Sequence, residues 1–169
     1  VYDRMHGIGA HELIVESPRH DVMLQDLPPA DLAAVIGVWR DRIADLHRDS
    51  RFKYVLLSRN HGAAAGAILS HPHSQLIATP VTPHAVAVAL DSSRLHHHVK
   101  ERCLLCDIVA QEIEDGRRLG SLTDDFVAFC PYASRFPFEV TLAPRGHFHD
   151  FGQIPDGRLP SFAAALADV

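Results

Sequence analysis

With 169 residues, 47% of them apolar, the chain has enough hydrophobic material for a packed core in one medium domain or in parts of two small ones. A formal charge of -5 supplies no field for a nucleic-acid backbone, so nucleic acid is excluded as a partner, although a small phosphorylated ligand needs only a local site. No apolar run approaches the ~18 residues of a membrane span, the opening segment lacks the apolar stretch of a secretory signal, and three cysteines are too few for a disulfide framework, so a soluble cytoplasmic protein is expected.

His11 to Glu16 (HELIVE) alternates as a strand with Leu13 and Val15 on one face, ended by Ser17-Pro18. After Pro28-Pro29, the residues Leu32, Val35, Ile36, Trp39, Ile43 and Leu46 recur at helical spacing and predict a helix from about Ala30 to His47, with Trp39 on its buried face. Lys53 to Arg59 reads as a short buried strand, and His71 to Thr79 as an extended segment closed by Pro80 and Pro83. Residues 84–102 predict a helix whose polar end places His96, His97 and His98 in solvent. Asp107 to Asp115 predicts a short helix stopped by Gly116, followed by strands near Phe126 to Phe129, with Cys130 in the core, and Glu139 to Leu142. The order is an α+β pattern that repeats, with a join over residues 84–102. The chain opens on Val1 and ends inside the helix-like SFAAALADV, so sequence is expected to be missing at both ends.

Chemistry concentrates in residues 60–75, NHGAAAGAILSHPHSQ. Side chains alternate along a strand, so His71, His73 and Gln75 share one face while Pro72 and Ser74 take the other. Two imidazoles beside a carboxamide suit nucleophilic or proton-transfer work, because an unperturbed imidazole titrates at about 6.5, and they suit metal binding equally. The glycines Gly62 and Gly66 after Asn60 fit either a loop whose backbone N–H groups approach an anion or a tight connection between packed strands. Cys103-Leu-Leu-Cys106 has the spacing of a metal or redox pair, with a buried apolar pair as the alternative.

Asn60, Gly62, Gly66 and HPHSQ, together with GAHELIVESPRH at residues 9–20 and PYASRFPFEVTLAPRGH at residues 131–147, resemble the galactose-1-phosphate uridylyltransferase family, the transferase branch of the histidine-triad superfamily. The resemblance covers most of the chain. It implies a histidine-triad-like α+β fold of antiparallel sheets with packed helices in two tandem half-units. Residues 1–83 would be the C-terminal part of the first, 84–102 the connecting helix and 103–169 the N-terminal part of the second.

The resemblance further implies that His73 attacks the α-phosphorus of a nucleoside diphosphate sugar, forming a uridylyl-histidine that a second sugar 1-phosphate discharges by ping-pong. Asn60 would orient the nucleophile or hold the nucleotide phosphate. Gln75 stands where related hydrolases have a third histidine, and an amide that hydrogen-bonds phosphoryl oxygens without supplying a proton favours transfer over hydrolysis. Many relatives have a phosphate-contacting serine where this chain has Ile68, which cannot make that hydrogen bond. An ADP-glucose phosphorylase of the same family, transferring adenylyl groups with inorganic phosphate, fits the same motif. A non-catalytic zinc-binding portion of a split enzyme is the reading from a different class.

The family's structural zinc would use His20 and His71, its upstream cysteine pair being absent from this sequence. A second zinc, found in one subgroup, would use Cys103, Cys106 and His147, with a later histidine as fourth ligand or His149 in its place. A homodimer, or an assembly with a missing portion of the same enzyme, would follow. His11 and Glu12 recur in the family-like opening, and a surface strand start also accounts for them.

Overall fold

The computed structural model describes residues 4–67 and 69–169, so the expectation attached to Ile68 lies outside the described residues. In chain order the elements are β1 (Ala10–Val15), α1 (Pro29–Leu46), β2 (Tyr54–Ser58), β3 (His73–Thr79), α2 (His84–Lys100), α3 (Leu104–Asp115), β4 (Leu119–Leu122), β5 (Phe126–Phe129), β6 (Thr141–Pro144) and α4 (Leu159–Ala167). The strands form two antiparallel three-stranded sheets, ordered β1-β3-β2 and β4-β5-β6. This is the α+β architecture that the alternating periods predict.

Pro29 opens α1, where a missing N–H costs nothing and the fixed φ suits a first turn. Every apolar position expected on its inner face, from Leu32 to Leu46, is buried. That face covers one side of the first sheet, where Ser74, Leu76 and Ala78 of β3 are inaccessible to solvent or nearly so. Ser74 is the polar exception, and the Trp39 Nε1–H donates to its Oγ at 2.6 Å, so the indole and the hydroxyl satisfy each other inside the core.

The opposite side of that sheet is open except around His73. Val15 pairs with His73 and Leu13 with Gln75, which places Leu13 and Val15 on the exposed face, while Ile14 packs inward. The strand expected over Lys53 to Arg59 is the shorter β2, half-buried rather than buried because it is an edge strand with only one face covered.

In the second sheet all four residues of β5 are buried, with Val109 of α3 packed against Val127 and Phe129. The short β4, Leu119–Leu122, escapes prediction because LGSL has weak strand propensity and relies on pairing with β5. Cys130 is exposed, correcting its expected core placement: it lies just past β5, where its backbone N–H donates to the Arg118 carbonyl at 2.8 Å. Helix α4 returns to α1, adding Leu159 and Ala163 to the cluster around Ile36 and Trp39, and its Phe162 meets Phe126 and Phe151 edge-on at 5.1 and 5.6 Å. Helix α2 buries none of its side chains.

Across the first sheet and α1, Arg42 grips Glu12 with two hydrogen bonds of 2.7 and 2.6 Å. Those bonds hold the Glu12 carboxyl below its ordinary value, more than offsetting its desolvation. A depressed acid contributes stability that is fully present above its unfolded value of 4.5 and is lost as pH falls through the folded one. Glu12→Gln is expected to lower the urea midpoint at neutral pH and to flatten its decline between about pH 5 and pH 2, measured by fluorescence of Trp39.

Candidate active site

Beyond Ser58 the chain leaves β2 through Arg59 and Asn60 and turns over Ala63–Ala65, a single 3-10 turn between Gly62 and Gly66. Both glycines have positive φ, +78° and +83°, a region that costs residues with a Cβ. The N–H groups of Ala65, Gly66 and Ala67 are spent on carbonyls of Gly62 and Ala63, so those donors close the loop rather than face an anion. The loop walls a cleft of about 390 Å³ in which Asn60 and Gly62 face His71 and His73. Gly66 sits behind Asn60, and a Cβ there would lie 3.7 Å from the Asn60 Nδ2. Gln75 shares the His73 face of the sheet, with its Oε1 3.1 Å from His11 Nε2, and does not line the cleft.

Backbone carbonyls decide the protonation pattern of the histidines. His73 is only 8% exposed, and its Nδ1 lies 2.8 Å from the His71 carbonyl. A carbonyl accepts and never donates, so Nδ1 carries the hydrogen and Nε2 keeps the lone pair of the neutral ring. His71 has the opposite arrangement: its Nε2–H donates to the Ser17 carbonyl at 2.7 Å, which leaves its Nδ1 lone pair facing His20 Nδ1 at 3.0 Å. Ser70 Oγ stands 3.2 Å from His20 Nε2 and can donate to it or accept from it.

Beneath these rings is a buried ion pair. The Glu16 side chain is wholly inaccessible, and both of its oxygens receive the Arg59 Nε–H, at 3.1 and 2.9 Å. The Glu16 backbone N–H donates to the Pro72 carbonyl at 3.1 Å, so one residue ties both the motif and the Asn60 loop to the end of β1.

In the second half, Cys103, Cys106 and His147 bring their donor atoms within 4.8 Å of one another. Cys103 caps α3, and the Cys106 backbone N–H lowers its thiol pKa, while burial raises that of Cys106. Cys106 Sγ is 3.3 Å from His147 Nδ1. His149 is exposed and outside this group. His96 Nε2 lies 2.9 Å from an Asp107 carboxylate oxygen while His97 and His98 stay exposed, so the histidine run forms no metal cluster among the described residues.

Residues 1–83 match the family model described as galactose-1-phosphate uridyl transferase, N-terminal domain. The galactose-1-phosphate uridylyltransferase of Thermotoga maritima is 30% identical over 161 residues, covering 95% of this chain and 50% of that protein. The ADP-glucose phosphorylase of Arabidopsis thaliana is 30% identical over 160 residues, covering 95% of this chain and 44% of that protein. A solved uridylyltransferase mutant superposes with a TM-score of 0.88 at 30% identity, over 94% of this chain and 52% of that one.

The chain belongs to the galactose-1-phosphate uridylyltransferase family. It spans about half the length of the curated relatives it matches. The fold is the family's α+β fold, as the motifs imply.

Zinc, which the family resemblance implies, fits both donor sets. Two thiols and an imidazole form a soft set at a helix start. At His71 the Ser17 carbonyl holds the ring as the outer partner of a metal-ligating histidine does, with the Nδ1 lone pair turned to His20, and His20 can match it when Ser70 accepts from its Nε2–H. No cysteine joins that pair among the described residues.

Sequence reasoning passed over Arg59 and the two backbone carbonyls. Alternation along β2 carries the signal for Arg59, since it follows the strand end and directly precedes Asn60. Carbonyls leave no trace in side-chain identity.

The tautomers can be checked directly. Nitrogen-15 NMR is expected to place the hydrogen of the neutral imidazole on Nδ1 in His73 and on Nε2 in His71. A neutral His73 with hydrogen on Nε2 would contradict this arrangement.

Proposed function

We propose that the protein is a nucleotidyltransferase, a UDP-glucose–hexose-1-phosphate uridylyltransferase of galactose metabolism working through a uridylyl-histidine. The observation that carries this is His73, a nearly buried imidazole whose tautomer leaves the lone pair on Nε2, in a cleft that no carboxylate lines among the described residues. Nε2 attacks the α-phosphorus of a nucleoside diphosphate sugar, a P–N bond forms, the bridging P–O bond breaks, and sugar 1-phosphate departs with the electron pair. The substituted ring is then a cation that still carries its Nδ1 hydrogen, so its bond to the His71 carbonyl becomes charge-assisted and stabilises the intermediate. A second sugar 1-phosphate attacks the same phosphorus and returns the ring to its starting state.

Asn60, with Gly62 and Gly66 shaping its loop, holds the nucleotide phosphate from the facing wall. Gln75 hydrogen-bonds the transferring phosphoryl group by exchanging its His11 contact, and cannot protonate the leaving group. The substrates are a nucleoside diphosphate sugar and a sugar 1-phosphate, with neither nucleic acid nor membrane as partner. A cytoplasmic placement is part of this reading; no helix among the described residues is long and apolar enough to cross a membrane.

The half-units 1–83 and 103–169, joined over 84–102, are assigned as portions of two histidine-triad-like domains that work as a homodimer or with further sequence of the same enzyme. His20 with His71, and Cys103 with Cys106 and His147, are assigned to zinc, which would brace these segments. Adenylyl transfer from ADP-glucose to inorganic phosphate is the second reading, favoured by a relative of that name at the same 30% identity.

Incubation with radiolabelled UDP-glucose or ADP-glucose is expected to leave acid-labile label on His73, absent in His73→Ala, and the effective donor separates the two readings. No label from either donor in folded, zinc-loaded protein would sink both, leaving a non-catalytic zinc-binding role. Metal analysis is expected to find zinc that Cys103→Ser, Cys106→Ser or His147→Ala reduces, with chelation lowering thermal stability. Full zinc content in all three variants would remove that assignment.

A further inference from the structure

Arg59 is the only Lys or Arg among the described residues that line the cleft, and no Asp or Glu lines it. Its side chain is 19% exposed and fixed from behind, since Glu16 takes the Nε–H with both oxygens. This is not the usual two-pronged grip, in which Nε and an Nη share the carboxylate. The N–H groups on Nη1 and Nη2 have no hydrogen-bond partner among the described residues. A guanidinium oriented through one nitrogen, with its fork unspent, matches the oxygens of a phosphate group.

We propose that Arg59 is a phosphate-contact residue that binds the dianionic phosphate of the sugar 1-phosphate, the group that leaves in the first transfer and attacks in the second. The assignment rests on the nucleotidyl-transfer reading. Covalent attachment already fixes the nucleotidyl group on His73, so the species that needs a separate electrostatic anchor is the free phosphate monoester. Glu16 is a positioning residue here: it sets the guanidinium plane and offsets part of the charge, while its own backbone N–H holds Pro72 of the motif. Arg59 also borders a second cavity of about 460 Å³, whose lining includes Leu24, Leu32 and Asp168.

Arg59→Gln alone strands the buried Glu16 carboxylate and invites unfolding, so the test uses the double substitution Glu16→Gln with Arg59→Gln, alongside Arg59→Lys and Glu16→Gln. Calorimetric titration with glucose 1-phosphate and with inorganic phosphate is expected to show about 10- to 100-fold weaker binding of both to the folded double variant. Arg59→Lys is expected to recover part of the loss, and Glu16→Gln, which keeps the cation, to bind at least as tightly as the unaltered protein. The glucose 1-phosphate concentration that discharges labelled His73 is expected to rise by the same factor.

Binding within about twofold of the unaltered protein in a folded double variant would overturn the assignment and leave Arg59 as a wall. The two readings fail separately. Arg59-dependent phosphate binding without any label on His73 would sink nucleotidyl transfer and keep the anion site. Label on His73 with glucose 1-phosphate binding indifferent to Arg59 would do the reverse.

Discussion

The antiparallel register of β1 against β3 is the constraint on which the site depends. Val15 opposite His73 is the last ladder pair, and the pairing carries on past it, with the Glu16 N–H reaching the Pro72 carbonyl and the Ser17 carbonyl taking the His71 ring N–H. A one-residue slip would reverse every side chain, turning His73 into the core and Ser74 out. The buried face resists this: Leu76 and Ala78 have no exposed alternative, and the Trp39 hydrogen bond to Ser74 Oγ accepts only one register. Packing of α1 therefore sets that His73, and not Ser74, faces the cleft.

From that register follows the division of labour between two histidines a single residue apart. Each ring donates to a carbonyl, His73 through Nδ1 and His71 through Nε2, so their free lone pairs sit on opposite nitrogens. His73 is left with its lone pair on Nε2, the ring nitrogen remote from the side-chain stem, and His71 with an Nδ1 facing a second imidazole at 3.0 Å, the arrangement of two ligands converging on one point. Nothing in His-Pro-His as a string makes this distinction. The proline matters because it offers a carbonyl to Glu16 and no N–H to compete, which keeps the motif against the end of β1.

Much of this was legible in the sequence, for identifiable reasons. The helix α1 was readable because its inner face repeats at one period through six apolar positions, and all of them are buried. The alternation of His73 and Gln75 against Ser74 was readable because β3 is central and regular. The exposure of Leu13 and Val15 was not, since apolar identity gives no sign of which sheet face a helix covers. Gln75 illustrates a different limit: the strand period places it on the His73 face, yet a diagonal neighbour across β1, His11, engages its amide. Cys130 failed because one residue past the end of a buried strand is already solvent, and strand ends are the least certain feature of a sequence pattern.

The two halves of the chain are distinct as sheets but share a core. Helix α4 lies across α1 where Gly37 permits a close approach, the Leu159 side chain standing 3.4 Å from where a Cβ at that glycine would be, and Ala163 fills the same contact with almost no exposed surface. Trp39 belongs to this cluster and at the same time donates to Ser74 under β3. Packing in the second half is thereby transmitted, through one indole, to the strand that presents His73. A large side chain at Gly37 would push α4 off α1 and loosen Trp39, and its effect would be felt at His73 rather than at the glycine. The cysteine site stands outside this coupling, on α3 and the segment after β6, so the zinc proposed there would brace the second sheet while the register of the first is kept by α1.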